Sequence, residues 1–270
     1  MKIGNKEFDL KNRTYVMGIL NVTPDSFSDG GKFNTLDAAL FHAEEMVSEG
    51  ADIIDIGGES TRPAHVQVTD QEEIERVVPA IEAIKARFDV PVSVDTYKGN
   101  VAEAALAAGA DLLNDIWGFK YDDKIAKVAA VAGVPCCLMH NREKAEYKNF
   151  MEDFLDDLRE CVAIAHHNGV KDENIILDPG VGFGKTYEMN LEVMNHLERM
   201  NELEFPWLLG TSRKSMIGLA LDLPSDQRLE GTLATTVIGV VKGCSIVRVH
   251  DVKENLRAIQ MTKAILKAGK

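Results

Sequence analysis

The chain has 270 residues, of which 45% are hydrophobic, and its formal net charge is −13. This size allows one substantial core, while the acidic charge argues against nucleic acid as a partner, because phosphate backbones require a basic face. The chain contains no run of about 20 apolar residues, so no membrane span is predicted, and the first residues lack the apolar core of a signal peptide. With four cysteines that form no disulfide pattern, the sequence predicts a cytoplasmic protein with reduced thiols.

Short apolar runs alternate along the chain with segments of helical periodicity. The predicted strands end near Asn21, Gly57, Asp95, Asp115, His140, Asp178, Ser212 and His250. The first helix is predicted over residues 36–47, with Thr35 as its N-cap and Gly50 as its stop. Residues 69–72 form a capping-box pattern that opens a second helix running toward Phe88. Later helices are predicted around residues 98–107, 122–131, 149–168, 188–203, 226–242 and 252–268.

The alternation of strands and helices predicts right-handed βαβ units and a parallel sheet. Eight such units fit a closed barrel, so we predict an α/β fold with a single (β/α)8 TIM-barrel domain over residues 1–270. An open doubly wound sheet is the alternative on periodicity alone. The loops at 22–35 and 58–69 exceed the usual βα length and are rich in Gly, Ser, Thr, Pro and Asp. We expect both to be mobile binding loops.

Polar residues concentrate where the predicted strands end, and in a barrel those ends converge on the active-site face. They are Asn21, Asp55, Asp95, Asn114, Asp115, His140, Asp178, Ser212, Lys214, Arg248 and His250. Any single one can instead cap the following helix. Asp95 and Asp178 close apolar strands, where a buried carboxylate must be paired or hydrogen-bonded. With Asn114, they offer donors and acceptors that suit a pyrimidine-like ring.

Cations gather at the same predicted face, although the chain as a whole is acidic. They are Arg62, Arg213, Lys214 and Arg248, with His250 two residues after Arg248. Residues two apart on a strand point to the same side, so Arg248 and His250 are predicted to grip one anion together. A solvated loop charge is the alternative for Arg62. Residues 184–186 look like the end of a P-loop, but the motif fails, because position 179, where it needs its first glycine, is Pro.

Four stretches resemble the signatures of bacterial-type dihydropteroate synthases, a family of pterin-binding barrels. They are MGILNVTPDSFSDGG at 17–31, DIGGESTRP at 55–63, DPGVGFGKT at 178–186 and TSRKSMIG at 211–218. They follow the family's order over most of the chain. The resemblance implies the barrel fold, a homodimer and a transferase of folate biosynthesis. That enzyme condenses 6-hydroxymethyl-7,8-dihydropterin diphosphate with p-aminobenzoate, giving 7,8-dihydropteroate and diphosphate.

The resemblance also implies roles for individual residues. Pterin binding falls to Asp95, Asn114, Asp178 and Lys214, with Met139 and Phe183 near the ring, although ordinary core is the alternative for those two. The p-aminobenzoate pocket is assigned to Phe27, Thr61, Pro63, Ser212 and Lys214. The leaving-group charge falls to Arg62, Arg248, His250 and a Mg²⁺ ion held by Asn21 beside the phosphates. Asp29 is expected to order the first loop over the site. The expected catalytic set is Asp29, Arg62, Lys214, Arg248 and His250.

These motifs contain no strong nucleophile, which suits substitution at carbon with a diphosphate leaving group. The pterin ring can delocalise positive charge at its exocyclic methylene as the C–O bond breaks, which favours departure of the diphosphate before the amine attacks. Asp95 and Asp178 are then expected to stabilise the cationic ring. A pterin-binding methyltransferase and a non-catalytic pterin-binding paralogue are the two alternatives. We further expect Arg248→Ala to weaken diphosphate binding while sparing the bare pterin. We expect p-aminobenzoate to bind only after the anion, because ordering the two loops costs free energy.

Overall fold

An eight-stranded parallel sheet forms the centre of this computed structural model, which describes residues 1–23, 31–59 and 67–268. A short antiparallel hairpin precedes it, with strands β1 (Lys2–Ile3) and β2 (Lys6–Glu7). The strands of the parallel sheet are β3 (Tyr15–Asn21), β4 (Ile53–Gly57), β5 (Val92–Asp95), β6 (Leu112–Asp115), β7 (Cys136–Met139), β8 (Ile175–Asp178), β9 (Leu208–Leu209) and β10 (Ile246–Val249). Seven of the eight predicted strand ends lie within one residue of an observed end, whereas β9 ends before the predicted Ser212.

The sheet closes into a barrel. Its strand order is β8-β7-β6-β5-β4-β3-β10-β9, with neighbouring strands parallel. The two ends of this order meet at a parallel bridge between Leu177 and Trp207. There, the Leu177 amide donates to the carbonyl oxygen of Pro206 at 3.0 Å. The (β/α)8 barrel prediction is therefore confirmed, and the open sheet is excluded.

Helices form the outer wall. They are α1 (Gly31–Glu49), α2 (Asp70–Arg87), α3 (Gly99–Ala107), α4 (Asp123–Ala132), α5 (Phe150–His167), α6 (Tyr187–Asn195), α7 (Ser215–Leu221), α8 (Leu229–Lys242) and α9 (Val252–Lys267). The predicted capping box of α2 is confirmed, because Thr69 accepts from the Glu72 amide and the Glu72 side chain accepts from the Thr69 amide. The N-cap prediction for Thr35 is wrong, since α1 already begins at Gly31. Among the described residues, no helix has the length and apolar character to cross a membrane.

The barrel interior changes character along its axis. Alternate strand residues face inward, and those nearest the amino ends of the strands form one apolar layer with the hairpin: Tyr15, Met17, Ile53, Leu112, Cys137, Ile176, Leu208 and Ile246 packed with Ile3, Phe8 and Leu10. The intervening residues, such as Ile54 and Leu113, pack outward against the helices. Burial on both faces explains why these strands are nearly continuous apolar runs. Two residues further along, the inward positions of four strands are polar: Asp55, Asn114, Asp178 and Arg248.

Candidate functional site

A charged cluster fills the upper half of the barrel, and Arg248 lies at its centre. Its Nε donates to Asp55 Oδ2 at 2.6 Å, and its second guanidinium nitrogen donates to Asp95 Oδ2 at 2.6 Å. The Asp55 side chain is fully buried, and only 17% of the Arg248 side chain is exposed. Asn114 Nδ2 also donates to Asp55 Oδ2 at 3.1 Å. Asp55 therefore orients both Arg248 and Asn114, which leaves the Asn114 carbonyl oxygen available as an acceptor.

Two carboxylate oxygens in this cluster lack a protein partner within the described part of the chain. They are Oδ1 of Asp55 and Oδ1 of Asp95, and the buried hydroxyl of Ser93 below them is also unpartnered. Burial raises the pKa of Asp95, while the Arg248 guanidinium opposes that rise. A buried oxygen without a donor is costly. This arrangement is therefore suited to a ligand that brings N–H groups into the barrel mouth.

Asp178 and Lys214 form a second charged pair beside the first. Asp178 Oδ1 accepts from the Gly180 amide at 2.7 Å, and burial raises the pKa of this carboxyl while the Lys214 charge lowers it. Lys214 Nζ donates to the carbonyl oxygen of Val181 at 2.5 Å and lies 4.6 Å from the ring centroid of Phe183. Burial lowers the pKa of Lys214 to about 8, against the opposing effect of Asp178. An anionic acceptor and a cationic donor thus face the same mouth.

A small apolar cluster adjoins these charges and is separate from both main cores. It contains Tyr97, Ile116 and Met139, with Trp117 and Phe183 packed against it. Met139 is 3% exposed and occupies the inward position at the end of β7. Neither Met139 nor Phe183 belongs to the core between sheet and helices. The alternative of ordinary core therefore fits them poorly, and the cluster offers an apolar wall for a flat ring.

The ends of β9 and β10 hold the remaining predicted residues of this side. Ser212 Oγ lies 3.0 Å from His250 Nδ1 and accepts from the His250 amide at 3.2 Å. Arg213 has turned away, because its guanidinium donates to both carboxylate oxygens of Asp251. Arg248 is likewise engaged, by Asp55 and Asp95. The joint grip of Arg248 and His250 on one anion stays a prediction.

Asn21 ends β3 at the barrel mouth, next to Gly57 of the neighbouring strand. A Cβ atom at Gly57 would lie 3.4 Å from Asn21 Oδ1 and 3.8 Å from the Cβ of Asp95. Glycine at this position therefore leaves room for one Cβ atom beside the amide oxygen of Asn21. Within the described ranges, no group of three or more His, Cys, Asp or Glu side chains is arranged to hold a metal.

The strand-end pattern includes two residues that belong to the outer wall. Asp115 accepts from the amides of Trp117 and Phe119, both at 2.8 Å, so it stabilises the turn after β6 and does not cap the following helix, whose N-cap is Asp122. His140 faces α5, where its Nε2 donates to Asp157 Oδ2 at 2.9 Å. Asp55 is the functional residue to which the sequence analysis gave no role. A charged residue inside the apolar run Ile53–Gly57 was the signal that pointed to it.

Several predicted residues lie outside the described residues. They are Phe27 and Asp29 of the first loop and Thr61, Arg62 and Pro63 of the second. The first loop follows β3, which ends at Asn21, and the second follows β4, which contributes Asp55 to the charged cluster. The assignments of these five residues stay predictions.

Comparisons with known proteins point to one family. The sequence pattern of the family described as "pterin binding enzyme" matches residues 17–250. The dihydropteroate synthase of Clostridium beijerinckii is 68% identical, over 99% of this chain and 100% of that protein. The Bacillus subtilis enzyme is 58% identical, over 96% of this chain and 91% of that protein. A Clostridium difficile dihydropteroate synthase crystallised with pteroic acid superposes with a TM-score of 0.94 at 53% identity, covering 96% of this chain and 99% of that one. A Xanthomonas albilineans dihydropteroate synthase with 4-aminobenzoic acid gives a TM-score of 0.91 at 40% identity, covering 95% and 94%.

Proposed function

The chain belongs to the pterin-binding enzymes, among the dihydropteroate synthases, and from this premise we propose how its own residues carry out that family's reaction. The reaction joins 6-hydroxymethyl-7,8-dihydropterin diphosphate to p-aminobenzoate in folate biosynthesis. The whole-length similarity to synthases leaves the methyltransferase and non-catalytic alternatives without support.

The pterin ring binds in the barrel mouth between Asp95 and Asp178. The observation that carries this assignment is the buried, unpartnered Oδ1 of Asp95, which requires a donor. The ring N–H and amino groups supply such donors, and the free oxygen of Asn114 accepts from another. Lys214 donates to the pterin carbonyl, while Met139 and Phe183 contact the ring. We expect calorimetry with 6-hydroxymethyl-7,8-dihydropterin to show binding to the free protein that Asp95→Asn weakens strongly.

The diphosphate binds above the ring, at the ends of β9 and β10. His250 and Ser212 lie there, and Arg248 approaches from below. Arg62 of the second loop is proposed to complete the anion site. The p-aminobenzoate pocket is assigned to Ser212, Lys214 and the loop residues Phe27, Thr61 and Pro63. Because both loops contribute, we expect p-aminobenzoate to bind measurably only when diphosphate or the pterin diphosphate is present.

Substitution at the pterin methylene is proposed to follow a dissociative path. The C–O bond breaks first, and its electron pair leaves with the diphosphate. The resulting cationic pterin methylene is stabilised by the carboxylates of Asp95 and Asp178. The amine lone pair of p-aminobenzoate then forms the C–N bond, and the nitrogen releases a proton to the departed diphosphate or to water.

The test of this path is C–O cleavage without the amine. We expect positional isotope exchange in the diphosphate, or slow diphosphate release to water, when p-aminobenzoate is omitted. The comparison sample contains the same enzyme with p-aminobenzoate, in which release should be much faster. Absence of both exchange and release without the amine would favour a concerted path.

Mg²⁺ is proposed to enter with the diphosphate rather than to reside in the free protein. Mg²⁺ keeps several waters and is usually bound through substrate phosphates with one or two protein oxygens. Asn21 offers one neutral oxygen beside the space left by Gly57, which fits this role. When bound, the ion supplies positive charge to the leaving group. We expect calorimetry to detect Mg²⁺ binding only when diphosphate is present, and Asn21→Ala to weaken it.

A homodimer is proposed through the outer face of α7, α8 and α9. These helices expose the apolar side chains Leu219, Leu221, Val237, Ile238, Val241, Met261 and Ile265. Val237 and Val241 are one helical turn apart and so form a stripe on α8. Large exposed apolar patches are uncommon on monomers. Sedimentation should show that Val241→Glu weakens the dimer, whereas Val131→Glu on α4, at a side chain that is 91% exposed, leaves it intact.

The cytoplasm is the proposed compartment. All four cysteines, Cys136, Cys137, Cys161 and Cys244, are free and buried. Burial raises the pKa of each of these thiols, which keeps them protonated and unreactive. Free thiols without disulfides suit a reducing compartment. Fractionation of cells that express a tagged copy tests this assignment.

A further inference from the structure

We propose that Lys185 is a positioning residue for pterin binding, which holds the segment 178–184 in the shape that presents Asp178 and Phe183 to the ring. Lys185 lies just before α6, and its Nζ contacts His140, which faces α5 rather than the barrel mouth. The inference rests on the proposed assignment of Asp178 and Phe183 to the pterin. It gives a function to a residue that the failed P-loop pattern left unexplained.

Lys185 Nζ has three acceptors. Burial lowers the pKa of this group, while the charge of Asp178 and these three acceptors favour the ammonium form, which has one proton for each acceptor. Lys185 Nζ lies 2.7 Å from His140 Nδ1, 2.9 Å from the carbonyl oxygen of Gly180 and 3.0 Å from that of Phe183. Two of these acceptors, the carbonyl oxygens, belong to the segment 178–184. The third belongs to the end of the neighbouring strand. One side chain therefore ties the backbone on both sides of Gly182 to a fixed point outside the segment.

His140 is that fixed point, because its orientation is determined from the other side. Its Nε2 donates to Asp157 Oδ2 at 2.9 Å, and Asp157 also accepts two hydrogen bonds from Arg142, at 2.6 and 3.0 Å. This leaves Nδ1 unprotonated and able to accept from Lys185. Burial, followed by the charge of Lys185, lowers the pKa of His140 to about 3, so the ring is neutral. The chain Arg142–Asp157–His140–Lys185 thus connects α5 with the segment.

The segment packs closely on its neighbour, so a displacement at the Lys185 anchor would be transmitted along it. A Cβ atom at Gly180 would overlap the carbonyl oxygen of His140, and one at Gly184 would lie 2.7 Å from the Arg142 amide nitrogen. Both glycines have positive φ, at 61° and 56°. The Gly180 amide in turn donates to Asp178 Oδ1 at 2.7 Å. A shift of Gly180 would therefore move the carboxylate proposed to recognise the pterin.

The test compares Lys185→Met with Lys120→Met by calorimetry. Methionine keeps most of the length of the side chain but removes the charge and the three donors. Lys120 is the matched control, because it donates to the Asn141 carbonyl on the same neighbouring segment without contacting 178–184. In Lys185→Met, we expect the Kd of 6-hydroxymethyl-7,8-dihydropterin to rise about tenfold or more, while the Kd of diphosphate alone is unchanged. Lys120→Met should alter neither.

A spectroscopic measurement separates positioning from a general effect on folding. In wild-type protein, nitrogen NMR should show His140 Nδ1 as an unprotonated acceptor, and Lys185→Met should shift that signal and raise the pKa of His140. If Lys185→Met does not fold, His140→Gln tests the proposal instead. This substitution removes the ring nitrogen that accepts from Lys185 and should raise the pterin Kd by a smaller factor. Unchanged pterin affinity in a folded Lys185→Met variant, or equal losses for pterin and diphosphate, would overturn the proposal. Asp178→Asn, assayed alongside, shows independently whether the pterin assignment itself holds.

Discussion

The lower and upper halves of the barrel interior belong to the same strands, yet their chemistry is opposite. Ile53 and Ile176 face an apolar layer, whereas Asp55 and Asp178, two residues later on the same strands, face the charged cluster. The lower half stabilises the fold by burying apolar surface. The upper half buries charged side chains instead of apolar surface. Two of their carboxylate oxygens lack a protein partner in the described residues. The residues that stabilise the fold and those that face the ligand site are therefore only two positions apart on the same strands.

The largest effect is expected from removing the charge at the centre of the upper half. Arg248→Ala leaves the carboxylates of Asp55 and Asp95 buried without their cation, which costs about 3–5 kcal/mol of unfolding free energy. Because Asp95 also loses its orientation, we now expect bare pterin binding to fall together with diphosphate binding. This replaces the expectation from the sequence that pterin binding would be spared. Urea unfolding and calorimetry measure the two effects.

A matched arginine distinguishes this effect from the general loss of a charge. Arg213 also pairs with an aspartate, Asp251, but 37% of its side chain is exposed. Exposed ion pairs contribute about 0–1 kcal/mol, so Arg213→Ala should change the unfolding free energy little. Similar destabilisation by the two substitutions would remove the contrast between a buried charged cluster and a surface pair.

The lower half should respond in stability alone. Ile176→Ala removes a fully buried side chain from the apolar layer and should cost about 2–5 kcal/mol. The milder Ile176→Val should cost about 0.5–1.5 kcal/mol. Under conditions in which each variant is fully folded, KM for both substrates should equal that of the wild type. A changed KM in folded Ile176→Val would show that the two halves are coupled.

The same contrast explains how much of the molecule was predictable from sequence. Apolar runs that end in Asp95 or Asp178 mark both a strand and its functional end, so the fold and the place of the site could be read from local pattern. The partners of the buried charges could not be read in this way, because Arg248 and Asp55 are 193 residues apart in sequence and meet only through closure of the barrel. The outward turn of His140 follows from strand alternation once Met139 faces inward, but its position at a strand end did not by itself give that orientation.

The next effect concerns the acceptor pattern of the upper half. Asp178→Asn replaces a carboxylate oxygen with an NH₂ donor facing the donors of the pterin, at a cost of about 1.5–3 kcal/mol in pterin binding. Binding of p-aminobenzoate in the presence of diphosphate should be nearly unchanged. The exposed Asp222 at the end of α7 is the control, and Asp222→Asn should leave both affinities unaltered. Unchanged pterin affinity in Asp178→Asn would exclude Asp178 from the pterin site.

The smallest effect is a pH dependence that comes from Lys214. Burial lowers the pKa of this group to about 8, so the ammonium is present below that pH and is lost as the pH rises through it. If the ammonium donates to the pterin carbonyl, the affinity for 6-hydroxymethyl-7,8-dihydropterin should be full near neutral pH. It should then fall by up to about tenfold per pH unit above about 8, the limit for loss of one proton. Lys214→Met should bind weakly at every pH, and any slope it retains reports titration of the ligand or of Asp95. A wild-type affinity that stays constant between about pH 7 and pH 9.5, beside a weak Lys214→Met variant, would mean that the charges of Asp178 and Asp95 keep Lys214 protonated. The upper half would then hold its cations more firmly than burial alone predicts.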